Sequence, residues 1–211
     1  MAAFAFIHGA GDVGWYWHLV AADLEERGHD TVVANTVVAA AGGRAGLVVV
    51  AQSLGGFVAP LVCDRLPVAL IVLVAPMIPA PGEAPADYWS ATGYADEPRE
   101  QYDNAVALFY QDVPPELVAE ARTRSRGQSE ARMGEPSPLR AWPDVPTRVL
   151  LCRDDHLLPP AFVRRVARER LGVTPDEIDG GHAPALSRPH ELADRLHAYA
   201  AALGLTAGNR P

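Results

Sequence analysis

Leu47-Val48-Val49-Val50-Ala51-Gln52-Ser53-Leu54-Gly55-Gly56 decides the fold. Its first five residues are apolar without interruption. A strand covered on both faces needs this, because successive side chains meet two different layers. A serine and a glycine pair come next, and the following residues read as a helix, Leu54–Leu66, ended by Pro67. A strand that turns sharply into a helix at a serine is the setting of a nucleophile elbow, where a strained turn lifts the hydroxyl clear of the backbone. The usual pattern is G-x-S-x-G, and here Ala51 stands at its first glycine, adding one methyl to a crowded turn. The same residues also read as a helix N-cap serine before a glycine pair.

Around this stretch, short apolar runs alternate with helical patterns. Strands are expected at Phe4–Ile7, Thr31–Ala34, Leu47–Ala51, Val68–Val74, Arg148–Cys152 and Val173–Ile178. Helices are expected at Trp17–Arg27, Pro160–Leu171 and Pro189–Leu203; the first stops at Gly28 and the second at Gly172. This rhythm predicts a parallel sheet of about six strands with helices on both faces and its site at the carboxyl ends of the strands. The rhythm breaks between Pro76 and Pro146, a stretch rich in proline at its start and with one helix expected near Pro115–Arg126. A long insertion between two sheet strands usually covers something. We therefore expect a core of residues 1–75 and 147–211 and a cap of residues 76–146. The cap's Tyr88, Trp89, Tyr94, Phe109 and Tyr110 either line an apolar pocket or form the cap's own small core.

Composition narrows the chemistry. The 211 residues suit one domain, and 49% hydrophobic residues suffice for a core. The formal charge is −8 with no basic cluster, which argues against nucleic acid and anionic membrane surfaces as partners. All 18 basic residues are arginine, so lysine Schiff-base chemistry is excluded. Cys63 and Cys152 read as small buried hydrophobes in a helix and a strand, and no Cys-x-x-Cys pair suggests a metal. Phe4-Ala5-Phe6-Ile7 follows the first residues without the basic start and long apolar run of a signal peptide, and no stretch reaches the roughly 20 apolar residues of a membrane span. A soluble, cytoplasmic protein is expected, acting on a small molecule without a cofactor; oligomeric state is not readable.

Three more motifs fall after strands. Ile7-His8-Gly9-Ala10-Gly11 is a turn that can point a backbone N–H into a site. With the N–H after the serine it would make an oxyanion hole from Ala10 and Leu54. The other reading is an ordinary glycine-rich turn or a mononucleotide site, though no G-x-G-x-x-G follows. Arg153-Asp154-Asp155-His156-Leu157-Leu158-Pro159 closes the fifth strand and offers two aspartates that can reach a histidine; either can instead be a turn or cap residue. Gly180-Gly181-His182 follows the sixth strand, and two glycines let that loop turn tightly and bring the imidazole over the sheet edge. Serine, acid and histidine thus occur in the order expected of a triad with Ser53 as nucleophile and His182 as base.

On these motifs the sequence resembles the α/β-hydrolase superfamily over nearly its whole length. Phe6-Ile7-His8-Gly9-Ala10 followed by Gly14-Trp15-Tyr16-Trp17 resembles the branch holding plant methylesterases and hydroxynitrile lyases, and more closely small bacterial hydrolases of that type. The resemblance implies the α/β-hydrolase fold, a catalytic Ser53, His182 and Asp155, and an oxyanion hole at Ala10 and Leu54. Asp155 is favoured over Asp154 because it lies four residues before Pro159, as in many hydrolases of this fold. The lyases of that branch also use a lysine, which this chain lacks, so their cyanohydrin mechanism is not expected. The function expected is hydrolysis of an ester, or a related acyl bond, of a small and moderately apolar molecule. The alternatives are a lyase, decarboxylase or cyclase on the same fold, or a binding protein without turnover. Asp12, Trp15, Met77 and Trp89 are expected at the substrate by position.

One region departs from the pattern. Only eleven residues, Asn35–Ala45, join the second strand to the third, whereas parallel crossovers normally take about a dozen or more. Residues are expected to be missing near Asn35–Thr36, and a second such junction is expected near Asp103–Asn104.

Overall fold

The computed structural model describes residues 1–33, 37–44, 46–98 and 100–205. Six strands form one sheet: β1 Ala3–Ile7, β2 Asp30–Val33, β3 Leu47–Ser53, β4 Val68–Pro76, β5 Thr147–Cys152 and β6 Asp176–Ile178. Their order is β2-β1-β3-β4-β5-β6, and every neighbouring pair is parallel. Ten α-helices are described: α1 His18–Glu26, α2 Val37–Ala41, α3 Ala59–Val62, α4 Tyr88–Ala91, α5 Ala105–Phe109, α6 Pro115–Arg124, α7 Glu130–Gly134, α8 Pro160–Leu171, α9 Pro184–Ser187 and α10 Pro189–Ala202.

The unbroken apolar runs divide by the twofold period of a strand. Phe4, Phe6, Val48 and Val50 face a core completed by Val20 and Leu24 of α1 and Leu192 and Leu196 of α10. Ala3, Ala5, Ile7, Leu47, Val49 and Ala51 face a second core completed by α3 and by Phe162, Val163 and Val166 of α8. Each central strand is therefore buried on both sides, which is why its sequence does not alternate. Among the described residues, no helix is long and apolar enough to cross a membrane.

Two expected elements are shorter than the sequence suggested. The helix expected over Leu54–Leu66 is a 3₁₀ turn, Leu54–Phe57, followed by the one-turn α3. Pro60 has no N–H to give to Gly56, so i→i+3 bonds such as Val58 N–H to Gly55 O (2.9 Å) take over. The strand expected from Val173 begins only at Asp176. Val173 is used to close α8, its N–H reaching Ala167 O after Gly172 turns left-handed (φ 67°), and Pro175 lacks a donor. The Asn35–Thr36 junction lies outside the described residues. At Asp103–Asn104, the Asn104 side chain accepts the Ala107 N–H at 2.9 Å and starts α5.

Candidate active site

β3 delivers Ser53 to the carboxyl edge of the sheet, and the chain reverses there at φ 52°, ψ −122°. An L-residue pays of order 1–3 kcal/mol for such a conformation, so its surroundings must enforce it. They do so by crowding. The Met77 N–H binds Ser53 O at 3.0 Å, tying the turn to the end of β4. A Cβ on Gly56 would lie 1.9 Å from Met77 O, and one on Gly55 would lie 2.9 Å from His8 O. The two glycines are needed because the elbow is wedged between the chain after β4 and the chain after β1. Ala51 sits wholly buried in the second core, which takes up its extra methyl.

The loop after β5 holds Asp155. One of its oxygens accepts the Leu157 and Leu158 N–H groups at 2.9 Å each, and the other lies 2.8 Å from His182 Nδ1. A carboxylate in that position accepts from Nδ1–H, leaving Nε2 as the unprotonated ring nitrogen. Asp154 does not compete for the histidine. Its carboxylate accepts the Gly180 N–H at 3.3 Å and its own N–H binds Gly180 O at 3.0 Å, so it closes the histidine loop instead. Ser53, Asp155 and His182 are 6%, 4% and 3% exposed, so all three side chains are shielded from bulk water.

Three further residues hold His182, and sequence reasoning did not find them. Gln52 Nε2 donates to His182 O at 3.0 Å. Asp112 accepts the Gly181 N–H at 2.9 Å, and Gln111 donates to Asp154 O. A Cβ on Gly180 would meet Asp112 at 2.5 Å and one on Gly181 would meet Gln111 at 2.6 Å. The glycine pair signals that something presses on this loop. It does not say what, because the partners lie some seventy residues earlier in the segment between β4 and β5. Phe109 of the same segment stands edge-on to the His182 ring at 5.7 Å.

Ser53 and His182 open onto a cavity of about 250 Å³. Ala10, Asp12, Tyr16 and Gln52 line it from the sheet side, and Ala105, Phe109, Tyr110, Arg122 and Ser125 from the segment between β4 and β5. Ala10 lines the cavity, and Leu54 follows Ser53 at the first position of the 3₁₀ turn. Burial pushes the Asp12 carboxyl up to about 6, with His8 and His182 opposing the shift.

Of the four residues expected at the substrate, only Asp12 lines the cavity. Trp15 stacks on His18 with ring centres 4.5 Å apart and carries the Arg124 guanidinium at 5.2 Å. Met77 is buried in the second core, and Trp89 packs against Tyr88 and Tyr94. The aromatics of the segment between β4 and β5 divide accordingly. Tyr88, Trp89 and Tyr94 join Phe162 in a small core over α8, and Phe109 and Tyr110 face the cavity.

Several solved structures share this architecture. Polyneuridine aldehyde esterase superposes with a TM-score of 0.78 at 16% identity, covering 95% of this chain and 99% of that one. A pyrethroid hydrolase from Sphingobium faniae JZ-2 gives 0.72 at 21% identity, with 95% and 98% covered. A methylesterase from Arabidopsis gives 0.74 at 15% identity, with 95% and 99% covered. At these identities the likeness is one of fold. Among curated proteins, none matches the chain. The family model described as "Alpha/beta hydrolase family" matches residues 4–195, nearly the whole chain, and the protein belongs to that family.

Proposed function

We propose that the protein is a serine hydrolase that cleaves an ester, or a related acyl bond, of a small and moderately apolar molecule. The observation that carries this reading is a serine held at a strained φ of 52° on the wall of the cavity that also contains His182, itself bonded to Asp155 at 2.8 Å. The esterases and the hydrolase among its structural neighbours act on small molecules, which fits the size of the cavity.

In this mechanism the Ser53 hydroxyl adds to the ester carbonyl carbon while His182 Nε2 takes its proton. The carbonyl oxygen becomes an oxyanion in reach of the Ala10 and Leu54 N–H groups; each such donor contributes about 3–4 kcal/mol in the transition state. The carbon–oxygen bond to the alcohol then breaks, and His182 returns the proton to the departing alkoxide. Water, deprotonated by His182, attacks the acyl-Ser53 ester and releases the acid. Asp155 keeps the imidazole in the required tautomer throughout. Residues 76–146 act as the cap, and their Phe109 and Tyr110 give the cavity its apolar wall.

The test is hydrolysis of short p-nitrophenyl esters by the wild type and by Ser53→Ala, prepared in parallel. Turnover that falls by several orders of magnitude in the variant is the expected result. Equal turnover in both would remove Ser53 from the mechanism.

A further inference from the structure

Asp12 carries the one carboxyl group among the described residues that line the cavity, and the hydrolytic mechanism leaves it idle. It lies on the turn after β1 and lines the same cavity as Ser53 and His182, close enough to His182 to feel its field. Among the described residues its carboxyl has no hydrogen-bond or ion-pair partner. Arg122 lines the same cavity yet stays beyond ion-pair reach of it. The remaining groups whose fields meet at Asp12 are the imidazoles of His8 and His182 and the phenols of Tyr16 and Tyr110. Burial, with Asp12 close by, pushes the Tyr110 phenol up to about 12 and that of Tyr16 well above its ordinary value, so both rings stay neutral.

A partly desolvated carboxylate without a protein partner is costly, and it calls for a complement from outside the chain. The walls around it indicate which one. Phe109, Tyr110 and Tyr16 line the same small cavity with aromatic surface. Aromatic faces beside a carboxylate suit an ammonium group, which gains from the ring quadrupoles as well as from the charge. An anionic substituent meets repulsion in the same place.

We propose that Asp12 selects substrates by charge, seating an ammonium group so that the site prefers esters bearing one over neutral isosteres. This rests on the hydrolase reading of Ser53 and His182, and the experiment is built so that the two can fail separately.

Choline acetate and 3,3-dimethylbutyl acetate have nearly the same shape and differ in charge. At pH 8, where the Asp12 carboxyl is ionised, the wild type should show a kcat/KM ratio of cationic to neutral ester of about ten or more. In Asp12→Asn the ratio should fall to about one. A wild type that takes both equally, or a ratio that survives in Asp12→Asn, overturns the proposal. Binding provides the second arm. In Ser53→Ala, calorimetric titration should show choline acetate binding about tenfold or more tightly than the neutral ester, and this preference should vanish in Ser53→Ala/Asp12→Asn. If the wild type cleaves neither ester but the binding preference holds, the hydrolase reading is at fault and the charge selection stands. Equal binding of the two esters overturns the selection whatever the turnover.

Discussion

Asp112→Ala probes the contact between the segment joining β4 to β5 and the His182 loop. Asp112 lies just beyond Phe109 in that segment, and its carboxylate takes the N–H of Gly181, the residue directly before His182, at 2.9 Å. Removing the carboxylate leaves that donor without its acceptor, a loss of about 1–3 kcal/mol of stability. For a chain of this size each kcal/mol lowers Tm by roughly 2–4 °C, so a fall of about 2–12 °C is expected in a thermal melt. Activity should suffer more than stability. Gly180 and Gly181 press against Asp112 and Gln111 with no room for a Cβ, so the loop rests on this contact. A displacement of His182 by about 1 Å can cost 10²-fold in rate. We expect kcat to fall by roughly tenfold to a hundredfold with KM little changed, and Asp112→Asn, whose amide oxygen can still accept the Gly181 N–H, to recover most of it. An Asp112→Ala enzyme with wild-type kcat and Tm would refute the coupling of this segment to the proposed base.

Three other outcomes follow from the same geometry. Asp155→Asn should lower kcat by roughly 10³–10⁴ through the wrong imidazole tautomer, with a melt close to wild type because the amide oxygen can still accept the Leu157 and Leu158 N–H groups; steady-state kinetics and circular dichroism check both. Glu83→Ala leaves the Arg170 guanidinium of α8, only 14% exposed and resting on Tyr88, without its carboxylate, and denaturant unfolding should show a loss of about 3 kcal/mol. Asp12 has a raised carboxyl pKa in the fold, about 6 against 3.8, so the native state binds the proton more tightly than the unfolded chain and stability falls as pH rises between those values. Asp12→Asn should therefore be more stable than wild type at pH 8, by at most about 3 kcal/mol, and no more stable near pH 3; unfolding curves at both pH values decide it.

The parallel sheet was legible because β1, β4 and the first five residues of β3 are apolar at every position, a pattern that needs layers on both faces. The ends of elements were less so. The helix expected after Ser53 breaks because of a proline at position 60, and β6 is short because Val173 serves the end of α8. Of the candidate residues, Ser53, Asp155 and His182 were legible because Ser53 ends β3 and the other two lie in the loops just after β5 and β6. Gln111 and Asp112 did not, since what makes them matter is a contact with Gly180 and Gly181 across the fold. Trp15 and Trp89, expected at the substrate by position, do not line the cavity, for the complementary reason. A large aromatic near a motif is as readily taken up by a neighbouring ring as by a ligand, and here His18 and Tyr94 took them.

The most direct measurement of the central claim is intact-protein and peptide mass spectrometry after rapid quenching of the enzyme with a slowly turned over p-nitrophenyl ester. The account predicts one acyl group on the peptide carrying Ser53, released as the ester is consumed, and none in Ser53→Ala. Turnover accompanied by an acyl group on another residue would contradict it.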